Sequence, residues 1–252
     1  MKKLILILSF VAFSTILNAQ LQTPAPSPEG KIYQKVGLTD VTVEYSRPSM
    51  NGRAVFGNLV PYDAMWRTGA NKNTMITFSD DVKIGGKDVK AGSYAIFTKP
   101  GKEKWEVYFY ADTNNWGVPR NWDESKVVAS VTADAYPIPF DVQTFTIDID
   151  NLTNNGAEIG MIWEKTYVGV PFQVPTDKKA TASIERAMAG PSGQDYFNAA
   201  VYYLQEGKDL NKAKEWIDKA IAMSVSAQNP DKPFWMLRQK SLIHAKMGDK
   251  AG

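Results

Sequence analysis

The 252-residue sequence contains no cysteine and a single histidine, His244. Without cysteine the chain can form neither a disulfide framework nor a lipid-modified thiol at a leader cleavage site. With no histidine before His244, the preceding chain cannot build a Ser-His-Asp or Cys-His nucleophile or a zinc site of ordinary ligands. His244 itself lies among apolar residues of a predicted helix, where packing is the expected role. Most hydrolase mechanisms are thereby excluded, and no metal site is predicted.

The sequence also lacks a charge excess and a glycine-rich phosphate loop. Its 29 basic residues stand against 27 acidic ones, and loss of the two lysines in the leader described below brings the net charge near zero. A neutral chain is a poor polyanion binder, so no nucleic acid partner is expected. Neither GxxxxGK[ST] nor GxGxxG follows a predicted strand, so no nucleotide cofactor is expected either.

The longest apolar run lies at the start of the chain, in MKKLILILSFVAFSTILNAQ. Two lysines precede an apolar core over residues 4–17, and the small residue Ala19 precedes Gln20. This is the order of charge, core and cleavage site in a secretory signal peptide, and the core is shorter than the about 20 residues of a membrane span. Residues 1–19 are therefore predicted to be a signal peptide of an exported protein, periplasmic or secreted, with no membrane span in the mature chain. An uncleaved anchor is the alternative.

Apolar and polar side chains alternate over much of residues 41–175, as in VTVEYSR, SYAIFTK and WEVYFY. This period of two predicts half-buried strands. Turn formers separate the strands and predict hairpins at Gly85-Gly86, Pro100-Gly101 and Asn154-Asn155-Gly156. About eight or nine strands with almost no helical period between them predict a mainly β fold, an antiparallel β-sandwich. Residues 20–40 are predicted to be an N-terminal extension of this domain.

Helical spacing of apolar residues replaces the alternation after residue 175. QDYFNAAVYYLQEG predicts a helix with Ser192 and Asp195 as a capping pair, and DLNKAKEWIDKAIAM predicts a second. A third is predicted to open near Pro233 and to end at Gly248. Residues 176–252 are thus predicted to form a small helical segment.

The helical segment resembles tetratricopeptide-type repeats in the small residues and aromatics of AAVYYLQEGKDLNKAKEWIDKAI. Its helix-ending residues, Gly207 and Gly248, are 41 positions apart instead of the about 34 of that repeat. The resemblance implies packed helix pairs that often bind proteins, so a protein partner at these helices is expected. The alternative is a docking appendage that covers one sheet.

The densest cluster of unusual residues lies at residues 45–74, which we call the corner segment: YSRPSMNGRAVFGNLVPYDAMWRTGANKNT. It supplies five candidate ligand-binding residues, namely Arg47, Arg53, Trp66, Arg67 and Asn71. An arginine fork can hold a carboxylate, phosphate or sulfate with two hydrogen bonds and can stack on a ring. A small polar or anionic ligand is one interpretation. The other is that the arginines donate to loop carbonyls and fix the connection between two strands.

A second candidate surface is the loop ADTNNWGVPRNWDESK, with Trp116 and Trp122 among amides and acids. A flat indole beside amide groups suits the face of a sugar ring, so Trp116 is a candidate ligand-binding residue for a glycan. Loop tryptophans also cover the ends of sandwiches. Solvent exposure of the ring faces distinguishes the two roles.

Four stretches of the chain match one known family. They are YSRP, GRAVFGNLVPYDAMWRTGAN, IGGKDVKAGSYAIFTKPGKEKW and the Trp116-Gly117 loop. On these residues the chain resembles a family of exported Gram-negative bacterial proteins known as domain of unknown function 2911, over roughly residues 26–172. The resemblance implies a fold and an export route. It implies no activity and transfers no catalytic residue.

These features together predict an exported, non-catalytic binding or interaction module, with a glycan or small anionic ligand at the corner and a protein at the helices. The alternative is a carboxylate-dependent enzyme acting on carbohydrate or another envelope polymer through acids such as Asp63 or Asp112. That alternative predicts a deep pocket with two acids about 5–10 Å apart. A structural partner subunit would instead show a large apolar patch on the helices.

Overall fold

The computed structural model describes residues 23–188, 190–225, 231 and 233–249 of the chain. The predicted signal peptide lies outside the described residues. Within them, nine β-strands are followed by four α-helices. The fold is therefore mainly β with a helical C-terminal part, which confirms the predicted fold class.

Every strand pairing is antiparallel. The strands are β1 (Glu29–Val36), β2 (Thr39–Ser46), β3 (Thr74–Phe78), β4 (Val82–Ile84), β5 (Lys87–Val89), β6 (Gly92–Pro100), β7 (Lys104–Tyr110), β8 (Val127–Thr153) and β9 (Gly156–Gln173). Their order is β1-β2-β3-β6-β7-β8-β9-β4-β5. The helices are α1 (Thr176–Ala187), α2 (Gly193–Gln205), α3 (Leu210–Ser224) and α4 (Phe234–Met247). The segment predicted to be an N-terminal extension carries β1.

The hairpin turns lie where the turn formers predict them. Ile84 pairs with Lys87 across the two-residue turn Gly85-Gly86, and both glycines have left-handed backbones. Such a turn has the twist that adjacent antiparallel strands need. Thr153 likewise pairs with Gly156 across the two asparagines of the β8–β9 turn.

Strands β8 and β9 are much longer than the short strands predicted, at 27 and 18 residues. The first part of β8 pairs with β7, and the rest pairs with β9. The register of the β8–β9 pair shifts between Pro137 and Val142. A register break lets a strand bend, so β8 continues from one half of the sheet into the other.

The two halves of the sheet face each other across one core. The Tyr45 hydroxyl of β2 accepts a hydrogen bond from the Ile147 amide of β8 at 3.0 Å, although β2 and β8 are not neighbours in the sheet. Likewise, the rings of Phe78 in β3 and Phe172 in β9 lie 5.5 Å apart. The buried residues of both halves form one continuous cluster, as in a sandwich.

The helical part contains four helices, whereas the sequence predicts three. Helix α1 is the additional one, and it buries only Thr176. Helix α2 begins with the predicted capping box of Ser192 and Asp195, which confirms that signal. Helices α2, α3 and α4 share a separate apolar core. His244 is 5% exposed in that core, and its Nδ1 lies 2.8 Å from the Oδ2 of Asp249.

The outer face of α4 is apolar and basic. Its exposed apolar side chains are Phe234, Trp235, Leu237 and Leu242. Arg238 and Lys246 are exposed beside them, and α4 contains no acidic residue. A protein partner at this face stays a prediction. No helix among the described residues has the length and apolar character to cross a membrane.

Candidate ligand-binding site at the corner segment

The corner segment connects β2 to β3 and is fixed to two other strands. Trp66 and Thr98 of β6 exchange backbone hydrogen bonds of 2.7 and 2.9 Å. Ser49 forms a β-bridge with Thr144 of β8, and their hydroxyls lie 2.9 Å apart. These contacts attach the connection to β6 and β8, next to the aromatic residues of the core.

Left-handed backbone is concentrated in the corner segment. The described residues contain six non-glycine positions with positive φ, and four of them lie here: Asn51, Asp63, Thr68 and Asn71. Asparagine and aspartate tolerate this conformation, but a β-branched residue such as Thr68, at φ 56°, is strained there by about 1–3 kcal/mol. The strain is held in place by the Thr74 hydroxyl, which donates to the Thr68 carbonyl. Strained backbone of this kind clusters at ligand sites.

A cavity of about 380 Å³ opens between the corner segment, the chain before β1, and β9. Its lining residues are Ser27, Pro48, Arg53, Leu59, Val60, Trp66, Arg67, Gly69, Ala70, Asn71 and Trp163. Four of the six residues proposed from the sequence therefore lie on one cavity. Its volume falls in the range of small-molecule pockets.

Two tryptophans form the apolar wall of this cavity. The rings of Trp66 and Trp163 are nearly parallel, at 20°, with centroids 5.9 Å apart. Phe145 packs against Trp66 at 5.1 Å, and the Trp66 Nε1 donates to the Gly69 carbonyl at 3.1 Å. The sequence does not indicate Trp163 as a site residue, because it occupies an ordinary apolar position in the alternating pattern of a strand.

The two arginines of the cavity are only partly used by the protein. Arg53 donates from Nε and Nη2 to the carbonyls of Met50 and Ser49, both at 2.8 Å. Arg67 donates from Nη1 to the Asn71 carbonyl at 2.9 Å. Within the described part of the chain, Nη1 of Arg53 and both Nε and Nη2 of Arg67 have no acceptor. Each guanidinium thus keeps N–H donors for a ligand.

The charge at the cavity is positive. Arg53 and Arg67 are its only charged lining residues in the described chain, and neither forms an ion pair there. A carboxylate, phosphate or sulfate group would supply both the missing negative charge and the missing acceptors. The arrangement therefore suits an anionic group.

Asn71 and Arg47 serve mainly as braces. The Asn71 Nδ2 donates to the Ser27 carbonyl at 3.3 Å and to the Ser46 hydroxyl at 3.2 Å. Arg47 does not line the cavity. It donates from Nε to the Phe145 carbonyl at 3.1 Å and from Nη2 to the Thr146 hydroxyl at 2.8 Å, so it ties the corner segment to β8.

Trp116 and Trp122 have opposite surroundings although they share a loop. Trp122 stacks on Tyr110 with centroids 4.6 Å apart, and its Nε1 donates to Glu124 at 2.8 Å. It acts as a lid over a small apolar cluster. Trp116 is 79% exposed and does not line the cavity. By the exposure test, Trp122 is a lid and Trp116 is the better candidate for stacking.

The carboxylates considered from the sequence lie outside the cavity. Asp63 and Asp112 do not line the cavity. Asp112 accepts from the Asn114 amide at 3.1 Å and from Lys126 at 3.4 Å, and these contacts, the backbone one first, lower its pKa. In the part of the chain that the structure describes, no group of three or more His, Cys, Asp or Glu residues is placed to hold a metal ion.

Asp148 is a partly buried carboxylate outside the cavity. It lies on β8 opposite Gly160, and its Oδ1 is buried with no hydrogen-bond partner among the described residues. Burial, reinforced by the charge of Asp150, raises the pKa of Asp148 above its ordinary value of 3.8. Because the pKa of Asp148 is raised in the folded state, its ionised carboxylate destabilises the folded protein at neutral pH. This destabilisation disappears as the pH falls from the raised pKa to the ordinary value of the unfolded chain.

Asp148→Asn is therefore expected to raise the free energy of unfolding by about 1 kcal/mol at about pH 7. At about pH 3 the two proteins should be nearly equally stable, because Asp148 is then largely protonated in both folded and unfolded chains. Urea denaturation at both pH values measures this difference. The control is Asp134→Asn, an exposed β8 acid 3.6 Å from Lys104. A less stable Asp148→Asn protein at neutral pH would contradict the expectation.

A family model described as protein of unknown function (DUF2911) matches residues 27–172, which is more than half of the chain. The chain belongs to the DUF2911 family. No curated protein and no solved structure matches the chain. The DUF2911 region contains every cavity-lining residue from Ser27 to Trp163 and ends within β9. The corner site is therefore part of the DUF2911 region, and the four helices lie beyond it.

Proposed function

We propose that this DUF2911 protein is an exported, non-catalytic binding module whose corner cavity takes a small ligand with a carboxylate, phosphate or sulfate group. The observation that carries the proposal is the pair Arg53 and Arg67, which present unused N–H donors to a cavity without an acidic lining residue in the described chain. Export is supported by the leader-like order of charge, apolar core and small residue in the first 20 residues.

The cavity walls support binding over catalysis. They combine guanidinium and amide donors with the indoles of Trp66 and Trp163, which can hold and orient an anion. An enzyme using two carboxylates needs both acids at one pocket, about 5–10 Å apart. The described lining contains neither of the acids proposed for that role, Asp63 and Asp112.

Binding of sulfate, phosphate and acetate tests the proposal. We expect at least one of them to raise the melting temperature of the mature protein and to give a saturable calorimetric titration. Arg67→Gln removes the charge but keeps an amide donor for the Asn71 carbonyl. It is expected to lower the affinity more than tenfold, since a charged hydrogen bond contributes about 1.5–3 kcal/mol.

Arg120→Ala is the matched control, because Arg120 is exposed and lies outside the cavity. Its affinity should equal that of the wild type. The melting temperature of Arg67→Gln without ligand shows whether the variant is folded. Equal affinities of the wild type and a folded Arg67→Gln protein would contradict the proposal, as would equal losses in both variants.

A further inference from the structure

We infer that the ligand is an acidic oligosaccharide, which places a sugar carboxylate at Arg67 in the cavity and stacks a second sugar ring on Trp116. The inference rests on the proposed function, because the cavity must hold the acidic group. It adds the exposed loop tryptophan to the site, and it names the ligand class as a chain of uronic acid rings.

The backbone directly before Trp116 is fixed by hydrogen bonds. The Asn115 amide donates to the Asn73 Oδ1 at 2.8 Å, and the Asn73 amide donates to the Asn115 carbonyl at 2.9 Å. The Asn115 Nδ2 also donates to the Asp112 carbonyl at 2.7 Å. Asn73 lies directly before β3, so the loop that carries Trp116 is attached to the same end of the sheet as the corner segment.

The residue after Trp116 lies against the cavity arginine. A Cβ added to Gly117 would be 3.6 Å from both Cζ and Nη1 of Arg67. Gly117 also has a left-handed φ of +104°, a conformation that glycine adopts without strain. The loop therefore passes close to the guanidinium, and Trp116 is the residue next to this contact in the chain.

The Trp116 side chain is exposed to solvent, and the residue before it is fixed by hydrogen bonds. A tryptophan in this position leaves a large apolar face in water, which a stacked sugar ring would cover with its axial hydrogens. Because Trp116 lies outside the cavity lining, one sugar in the cavity could not cover it. A ligand that uses both Arg67 and Trp116 must extend over at least two rings, and its acidic group must lie on the ring nearest Arg67.

Three probes separate the ring from the charge. Trigalacturonate carries both, its full methyl ester carries the rings alone, and sulfate carries the charge alone. We expect trigalacturonate to bind more tightly than either of the others in calorimetric titrations of the mature protein. Trp116→Ala is expected to lower the affinity for trigalacturonate about tenfold and to leave the affinity for sulfate unchanged.

Two further variants distinguish a failure of the oligosaccharide inference from a failure of the anion site. Trp235→Ala removes another exposed tryptophan, on α4, and should change neither affinity, whereas Arg67→Gln should lower both. If Arg67→Gln lowers both affinities but Trp116→Ala leaves trigalacturonate binding intact, the oligosaccharide inference is overturned and the anion site stands. Equal binding of the methyl ester also overturns the inference. If Arg67→Gln changes no affinity, or if neither these probes nor phosphate nor acetate binds, the proposed function itself fails.

Discussion

Trp163→Ala is expected to lower the free energy of unfolding by about 3–5 kcal/mol. Trp163 is 2% exposed, and its ring centroid lies 5.9 Å from that of Trp66 and 5.7 Å from that of Phe145. Its Nε1 also donates to the Gln143 carbonyl at 3.2 Å. The alanine variant loses the buried apolar area, the aromatic contacts and this hydrogen bond, and the Gln143 carbonyl keeps only the one from the Met50 amide at 2.8 Å.

Guanidinium chloride denaturation of the mature protein measures this loss. Trp116→Ala is the matched control, since the same substitution at an exposed ring is expected to change stability by less than about 0.5 kcal/mol. The difference between the two variants separates the cavity wall from the exposed stacking surface. Similar losses in both would contradict the account of Trp163 as the aromatic centre beneath the site.

Gly37→Ala is expected to destabilise the protein by about 3 kcal/mol or more. Gly37 has a φ of +55° in the β1–β2 turn, and a Cβ there would be 1.9 Å from the Thr176 Oγ1 and 2.1 Å from the Asn154 carbonyl oxygen. The turn therefore meets both the β8–β9 turn and the first residue of α1. A methyl group would have to push these elements apart in addition to straining the backbone.

Gly86→Ala separates crowding from strain. Gly86 also has a left-handed backbone, at +80°, but no heavy atom lies within 4 Å of its added Cβ. Strain alone is expected to destabilise this variant by about 1–2 kcal/mol. Thermal unfolding of both variants measures the contrast. A Gly37→Ala loss no larger than that of Gly86→Ala would show that the close contact between the turn and α1 does not constrain the fold.

The strands and turns were predictable because each has a local cause. Alternating burial in β2 follows the apolar residues of VTVEYS, and the glycine pair at Gly85-Gly86 marks the β4–β5 hairpin. The length of β8 was not predictable, because Pro137 and Pro139 normally interrupt a strand. They are accommodated beside the register break between Pro137 and Val142, and pairing with β9 on both sides of it is a tertiary feature.

Helix α1 escaped prediction because its sequence, TDKKATASIERA, has too few apolar residues for a clear helical period. Its position depends on long-range contacts instead. The Lys179 Nζ lies 2.8 Å from the Asp80 carboxylate in the β region, and the Thr176 hydroxyl accepts from the Leu38 amide at 3.2 Å. Neither pairing leaves a local signal.

The composition of the corner site was partly predictable. Arginine, tryptophan and asparagine near turn formers drew attention to Arg53, Trp66, Arg67 and Asn71, which line one cavity. The same pattern also selected Arg47, whose hydrogen bonds turn it toward β8. The direction of an arginine fork depends on where the facing strand presents its carbonyls, and only the three-dimensional fold supplies that information.

An anionic group bound by Arg53 and Arg67 in the corner cavity would change the surroundings of both guanidinium groups. The most direct measurement is the ¹⁵N NMR spectrum of the arginine Nε–Hε groups during a titration of the mature protein with sulfate. We expect the Arg53 and Arg67 signals to shift together along one saturation curve, while those of the exposed Arg120 and Arg186 stay in place. Unmoved Arg53 and Arg67 signals, or equal small shifts of every arginine, would contradict this expectation.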